Sequence, residues 1–172
     1  MPYAKQMARR VIAKHCVLLC KLAVQKKSYP MYSALIHSHS GLRWILLILL
    51  VVTIFTAFGK RDGKVPLSAG DKKLSLFTLI ATHLQAVIGL LLYYVSAKVE
   101  FSANTMSSPT FRFFTVEHTL MMLIAIVLIT MGNRHAKAGN AKKLFSFYLI
   151  ALIIILAAIP WPFRAALGAG WM

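Results

Sequence analysis

Four stretches of the chain are apolar at nearly every position, and each is closed by a polar or proline-bearing break. The first runs from about 41 to 58 and ends at Gly59-Lys-Arg-Asp-Gly63. The second, from about 74 to 96, carries His83 and Gln85 near its centre and Tyr93-Tyr94 near its end, where amphipathic rings prefer the membrane interface. The third, from about 113 to 131, is followed by Gly132-Asn-Arg-His135. The fourth, from about 144 to 159, is stopped by Pro160-Trp-Pro162, because proline lacks the amide proton and blocks the preceding turn. At about 1.5 Å per residue, some eighteen residues nearly cross a hydrocarbon core of about 30 Å. Each stretch is therefore predicted to be a spanning helix. Joined by short polar connections, they predict an all-α, up-down-up-down bundle of four transmembrane helices over residues 31–172, preceded by a basic tail over 1–30.

Composition agrees with lipid as the solvent. Of 172 residues, 59% are hydrophobic, and the mean hydropathy of +0.69 is too high for a soluble domain of this size. A formal net charge of +16 would suggest nucleic acid in a soluble protein. Here the basic residues sit between apolar runs, where they act as topology signals and headgroup contacts, so no nucleic-acid partner is expected. The first-to-second and third-to-fourth connections hold Lys60, Arg61, Lys64, Lys72, Lys73, Arg134, Lys137, Lys142 and Lys143. The opposite face of the bundle holds Arg43, Lys98, Arg112 and Arg164. The richer side is predicted to be cytoplasmic, with both ends of the bundle outside.

The tail adds Lys5, Arg9, Arg10, Lys14, Lys21, Lys26 and Lys27 to the outer face, which erases that bias. Its short apolar run is broken by Lys21 and no small-residue cleavage site follows, so it is a poor signal peptide. This conflict favours a translation start at Met31, or a tail that is not translocated in the ordinary way. Cys16 and Cys20, spaced i,i+4 beside His15, offer three metal ligands with no fourth and are read as ordinary thiols.

In an antiparallel bundle, one face gathers His37, His39, Arg43, Trp44, Tyr93, Tyr94, Arg112, Glu117, His118, Trp161 and Arg164. Ionisable groups in a bilayer are costly unless paired or ligated, so they mark sites. Histidines projecting from different helices into a bundle core are a usual way to hold haem iron. Arginines at the rim, here Arg43, Arg112 and Arg164, can neutralise the propionates. Two ligand pairs are open: His39 with His118, and His83 with His118. Structural roles stand beside these. Glu117 can pair with Arg43 or Arg112 and lock two helices, and His83 can hydrogen-bond a backbone carbonyl. His37 and His135 read as solvated helix ends, and Met121-Met122 as packing.

The segments His-Ser-Gly-Leu-Arg-Trp44, Lys-Leu-Ser-Leu-Phe-Thr-Leu-Ile-Ala-Thr-His83-Leu-Gln, Arg-Phe-Phe-Thr-Val-Glu-His118 and Ile-Pro-Trp-Pro-Phe-Arg164 resemble a family of short four-helix bacterial membrane proteins catalogued as cytochrome b-like. The resemblance covers residues 31–172, and His39, Arg43, His83, Glu117, His118 and Arg164 are its motif positions. It implies a bacterial inner-membrane protein that binds haem b and passes electrons to or from a quinone or a respiratory complex. On this reading His39, His83 and His118 are candidate iron ligands. Arg43, Arg112, Arg164 and Glu117 line the cofactor, and no residue is catalytic, as suits a carrier or subunit more than a stand-alone enzyme. The rival expectation is a haem-free accessory subunit, or a small transporter using His83 and Glu117 as a proton relay. No phosphate loop and no Cys-x-x-Cys-His attachment site is present.

Overall fold

A computed structural model describes residues 30–103, 105–161, 163, 164 and 167. The expectations for His15, Cys16 and Cys20 fall outside these residues. Four helices are long and apolar enough to cross a membrane: α1 (Pro30–Phe58), α2 (Ala69–Val95), α3 (Pro109–Lys137) and α4 (Ala141–Ala158). No strand occurs among the described residues. Neighbouring pairs are α1 with α2, α2 with α3, α3 with α4 and α4 with α1. This is the square arrangement of a four-helix bundle, in which α1 and α3 face each other across one diagonal and α2 and α4 across the other.

The helices reach further than hydropathy alone predicts, and the reasons are local. Helix α2 begins at Ala69 and not near 74, because Ser68-Ala-Gly-Asp71 closes a reciprocal cap. The Asp71 amide donates to Ser68 Oγ at 3.2 Å, and the Ser68 amide donates to Asp71 Oδ2 at 2.7 Å. Lys60 bonds the same carboxylate, tying the end of α1 to the start of α2. Helix α3 runs through Gly132-Asn-Arg-His135 to Lys137. Gly132 is buried there against α4, and a Cβ on it would lie 2.5 Å from Tyr148 Cδ1 and Cε1. Glycine at this point permits close packing and does not end the helix. The turn comes later, at Gly139, whose φ of 76° is the left-handed geometry of a helix end. Asn140 then caps α4 by accepting from the Lys143 amide at 3.0 Å.

Small, polar and large apolar residues share the inward faces, while further large apolar residues point outward. On α2 the buried positions include Asp71, Ser75, Thr78, Thr82 and Gln85, at alternating steps of four and three. On α4 they are Ala141, Leu144, Tyr148, Ala151, Ile155 and Ala158. Phe55, Phe77, Val87, Leu123 and Ile153 are among the large residues left exposed, forming a belt suited to lipid. The interior is a continuous cluster that includes Leu47, Leu50, Ile54, Ala125, Ile129, Leu144, Ala151 and Ile155.

Near the Lys60 end the core is polar and closed. Ser75 Oγ donates to Asn133 Oδ1 at 3.0 Å and lies 2.9 Å from Tyr148 Oη, which reaches it across the α2–α4 diagonal. One turn away, the hydroxyls of Thr53 and Thr78 lie 3.0 Å apart, and each is also within hydrogen-bond distance of a carbonyl of its own helix, Leu49 and Leu74. Ser75, Thr78, Asn133 and Tyr148 are almost fully buried. In hydrocarbon such groups must find partners inside the protein, and these have them.

Candidate functional site

At the other end of the bundle, His39 on α1 and His118 on α3 meet across the second diagonal. At about 1.5 Å per residue, His39 lies roughly 28 Å along α1 from Phe58, and His118 roughly 28 Å along α3 from Lys137, so they reach the same level. Both also have the right helical phase. Heptad steps from His118 lead to Ala125 and toward Gly132, which are buried; His39 and Arg43 continue the inward stripe of Leu46, Leu50, Thr53 and Ala57.

The ring centres of His39 and His118 are 6.5 Å apart, with an angle of 65° between the planes. A direct hydrogen bond of about 3 Å between two ring nitrogens would bring the centres to roughly 5 Å. The rings are thus too far apart to bond each other. A metal held by each imidazole at about 2 Å would set the centres roughly 6 Å apart. His118 Nδ1 lies 2.8 Å from the carbonyl oxygen of Ala158 on α4. A carbonyl can only accept, so Nδ1 carries the proton and the neutral ring keeps its Nε2 lone pair free. Metal-ligating imidazoles are usually held in this way by their second nitrogen.

The wall around His118 is aromatic and is built by an irregular turn. Phe113–Glu117 is π-helical, and the His118 amide donates to the Phe113 carbonyl five residues back. The wider turn sets the tilted rings of Phe113 and Phe114 beside His118, with centres 5.9 and 6.4 Å away. Such turns are rare and recur at functional sites. Neighbouring segments brace this one. Tyr93 Oη donates to the Thr115 carbonyl at 3.1 Å, the Glu100 amide donates to Thr115 Oγ1 at 3.1 Å, and the Arg164 guanidinium sits 4.9 Å over the Phe113 ring.

His39 is held differently. Gln85 Nε2 donates to the His39 carbonyl at 2.9 Å. A Cβ on Gly89, one turn further along α2, would come 3.1 Å from His39 Cε1 and 3.7 Å from Nδ1. A side chain at this position would require the ring to shift by a few tenths of an ångström. Two buried side-chain polar atoms lack a partner among the described residues, and both are here: His39 Nδ1 and Gln85 Oε1. An orphaned buried polar atom is costly, so its place marks a contact that the polypeptide alone does not complete.

The remaining expected site residues divide. His83 is exposed, and its Nδ1 lies 2.9 Å from the Leu79 carbonyl of its own helix. It stands two positions from Gln85, and residues two apart on a helix face opposite ways. The structure therefore brings His39 to His118 and leaves His83 on the outer surface of α2, which corrects the expectation of a His83–His118 pair. Arg112 Nε bonds Glu117 Oε1 at 2.8 Å within α3, so the two expected cofactor-lining residues neutralise each other. Arg43 is half-buried one turn from His39, with its guanidinium 5.4 Å over Trp44. Arg164 also donates to the Ala157 carbonyl at 3.3 Å. His37 is exposed, and His135 stacks on Phe147 at the opposite end, 5.2 Å between centres.

Among the described residues no group of three or more His, Cys, Asp or Glu side chains converges as a metal site. The site thus offers two imidazoles, an aromatic wall and two cationic side chains, Arg43 and Arg164. Two axial nitrogens suit a metal that arrives with equatorial donors of its own, and apolar walls with nearby cations suit a flat macrocycle bearing carboxylates. Comparison with known protein families, with curated proteins and with solved structures finds no match.

Proposed function

We propose that the protein is a membrane-embedded electron carrier that holds b-type haem between His39 and His118. The observation that carries this reading is the 6.5 Å separation of the two rings across the bundle, too long for a hydrogen bond between them and suited to one shared metal. The Ala158 carbonyl supports it by fixing the His118 proton on the outer nitrogen.

When bound, haem supplies one-electron exchange between ferric and ferrous iron. The chain does the rest. His39 and His118 would hold the iron, Phe113 and Phe114 would keep water from one side, and Arg43 and Arg164 would meet the propionates. Glu117 and Arg112 hold the first turns of α3 together. A bacterial inner-membrane location follows from the resemblance, and the orientation with Lys60 and Lys137 in the cytoplasm from the charge bias. The haem site then lies near the outer face, where a quinone or a respiratory partner would exchange electrons. The proton-relay alternative draws less support, because His83 bonds its own helix and faces outward.

A reduced-minus-oxidised spectrum of protein produced with ample haem tests the proposal. The wild type should give a low-spin six-coordinate signature. His118→Ala should lose the haem, His39→Ala should lose it or leave it five-coordinate, and His83→Leu should change nothing. A wild-type preparation with no Soret band ends the haem reading.

A further inference from the structure

At the Lys60 end, an apolar groove runs down the outside of the bundle between α1 and α4. Val51, Ile54, Phe55 and Phe58 line it on α1, and Phe145, Leu149 and Leu152 on α4, around a volume of about 320 Å³. Each set is spaced as one stripe along its helix. Phe55 and Phe58 are exposed, so the groove opens onto lipid and not into the core. It begins at the membrane boundary, because Phe58 is the last residue of α1 and Phe145 lies near the start of α4. From there it descends about 10 Å, the rise from 51 to 58 and from 145 to 152. One leaflet supplies about 15 Å of hydrocarbon, so the groove matches most of one acyl chain.

A cation is fixed at its mouth. The Arg61 amide lies 3.4 Å from the Phe58 carbonyl, a turn that carries the side chain back over the groove. Its guanidinium sits 3.9 Å from the centre of the Phe58 ring and 5.9 Å from that of Phe145, and these two rings are 5.5 Å apart. The same rings line the groove. On α4 the stripe leads one turn back from Phe145 to the exposed Lys142. The two nearby acids leave these cations available. Asp71 is taken by Lys60 and Ser68. Asp62 Oδ1 comes only to 3.8 Å from Arg61 Nε, beyond hydrogen-bonding distance, and both side chains are exposed.

We propose that this groove is a site for one anionic phospholipid, with an acyl chain between α1 and α4 and the headgroup phosphate on Arg61, Lys142 alongside. Shape and charge select that occupant together. A neutral apolar molecule would leave the cation unused, and a free phosphate would leave the groove empty. Guanidinium meets phosphate through two parallel hydrogen bonds, and the rings hold it in advance, so less freedom is lost on binding. Basic pockets between membrane helices are a recurring seat for anionic headgroups. The site lies at the opposite end of the bundle from His39 and His118 and does not rest on the haem reading.

The test is native mass spectrometry of the full chain in detergent, titrated with phosphatidylglycerol or phosphatidylcholine. The wild type should bind one phosphatidylglycerol more tightly than phosphatidylcholine. Arg61→Gln changes an exposed residue outside the spans and should weaken phosphatidylglycerol about fivefold, the worth of one basic residue at an anionic surface. Lys73→Gln removes the same charge from α2, across the diagonal from α4, and should weaken it less than about twofold. Val51→Phe and Leu149→Phe each fill the groove, and whichever folds should bind both lipids less well. Glycerol 3-phosphate, a headgroup without chains, should not displace the lipid. No loss in Arg61→Gln, or an equal loss in Lys73→Gln, would leave only general surface charge and overturn the site. So would displacement by glycerol 3-phosphate, or undiminished binding in a folded groove-filling variant.

Discussion

The two ends of this bundle treat buried polar groups in opposite ways. At the Lys60 end, Ser75, Asn133 and Tyr148 satisfy one another across the α2–α4 diagonal, as Thr53 and Thr78 do one turn away. At the His118 end, the α1–α3 diagonal is bridged by two imidazoles that do not reach each other, beside a carboxamide oxygen with no donor. Both sets of residues face the core of the same bundle, so burial alone does not separate them. Completion does. A closed network specifies how helices pack, whereas an open one of similar depth is a place where something else completes the bonding. This contrast argues for function at one end and architecture at the other.

Substitutions that remove the same kind of group from each end should therefore have different, and in part opposite, consequences. The largest effect is expected at Gly132, where an alanine Cβ would collide with the Tyr148 ring and push α3 from α4. Gly132→Ala should destabilise the bundle by about 1–3 kcal/mol in a reversible unfolding assay in detergent. Tyr148→Phe is milder. It removes one hydroxyl from the closed network and should cost about 1 kcal/mol by the same assay, since Ser75 keeps its bond to Asn133. At the open end the sign changes. Replacing His39 and Gln85 together with Leu removes two orphaned atoms, so the haem-free protein should be as stable as the wild type or more so. A loss of stability comparable to that of Tyr148→Phe would mean that the open end is already closed. Smallest of all, Glu117→Gln breaks a partly exposed ion pair and should cost less than about 1 kcal/mol.

Much of this was legible in the chain, and the exceptions have physical causes. Four apolar stretches sufficed for four helices, because a membrane requires long helices and little else. The gathering of His39, Arg43, His118 and Arg164 at one end followed from antiparallel topology alone. His83 misled because its central depth drew attention and its phase did not. The inward stripe of α2 runs through Ser75, Thr78, Thr82, Gln85 and Gly89, and His83 stands off it. In a membrane helix the small and polar stripe marks the inner face, and reading it would have selected Gln85. Gly132-Asn133 misled in the opposite sense, since a pair that ends helices in water here lies at a tight helix contact. The Ser68–Asp71 cap, a serine three residues before an acid, was a signal that the hydropathy boundary near 74 passed over. What spacing could not reveal was the π-helical turn, because it depends on braces from Tyr93, Glu100 and Arg164, far away in sequence.

That turn acts as a phase shifter. Beyond His118, α3 is locked in rotation by Ala125, Ile129 and Gly132 against the other helices. Before it, Phe113 and Thr115 are locked by Arg164, Tyr93 and Glu100. Each residue of a regular α-helix advances about 100° around the axis. Two segments with independent rotational settings cannot both be met by a uniform helix unless the settings happen to agree, and the wider turn takes up the difference. Deleting Val116 would offer the chain a more regular helix and would swing one segment by about a third of a turn relative to the other. The helix would be better formed by itself, and His118 would lose either its aromatic neighbours or its place opposite His39.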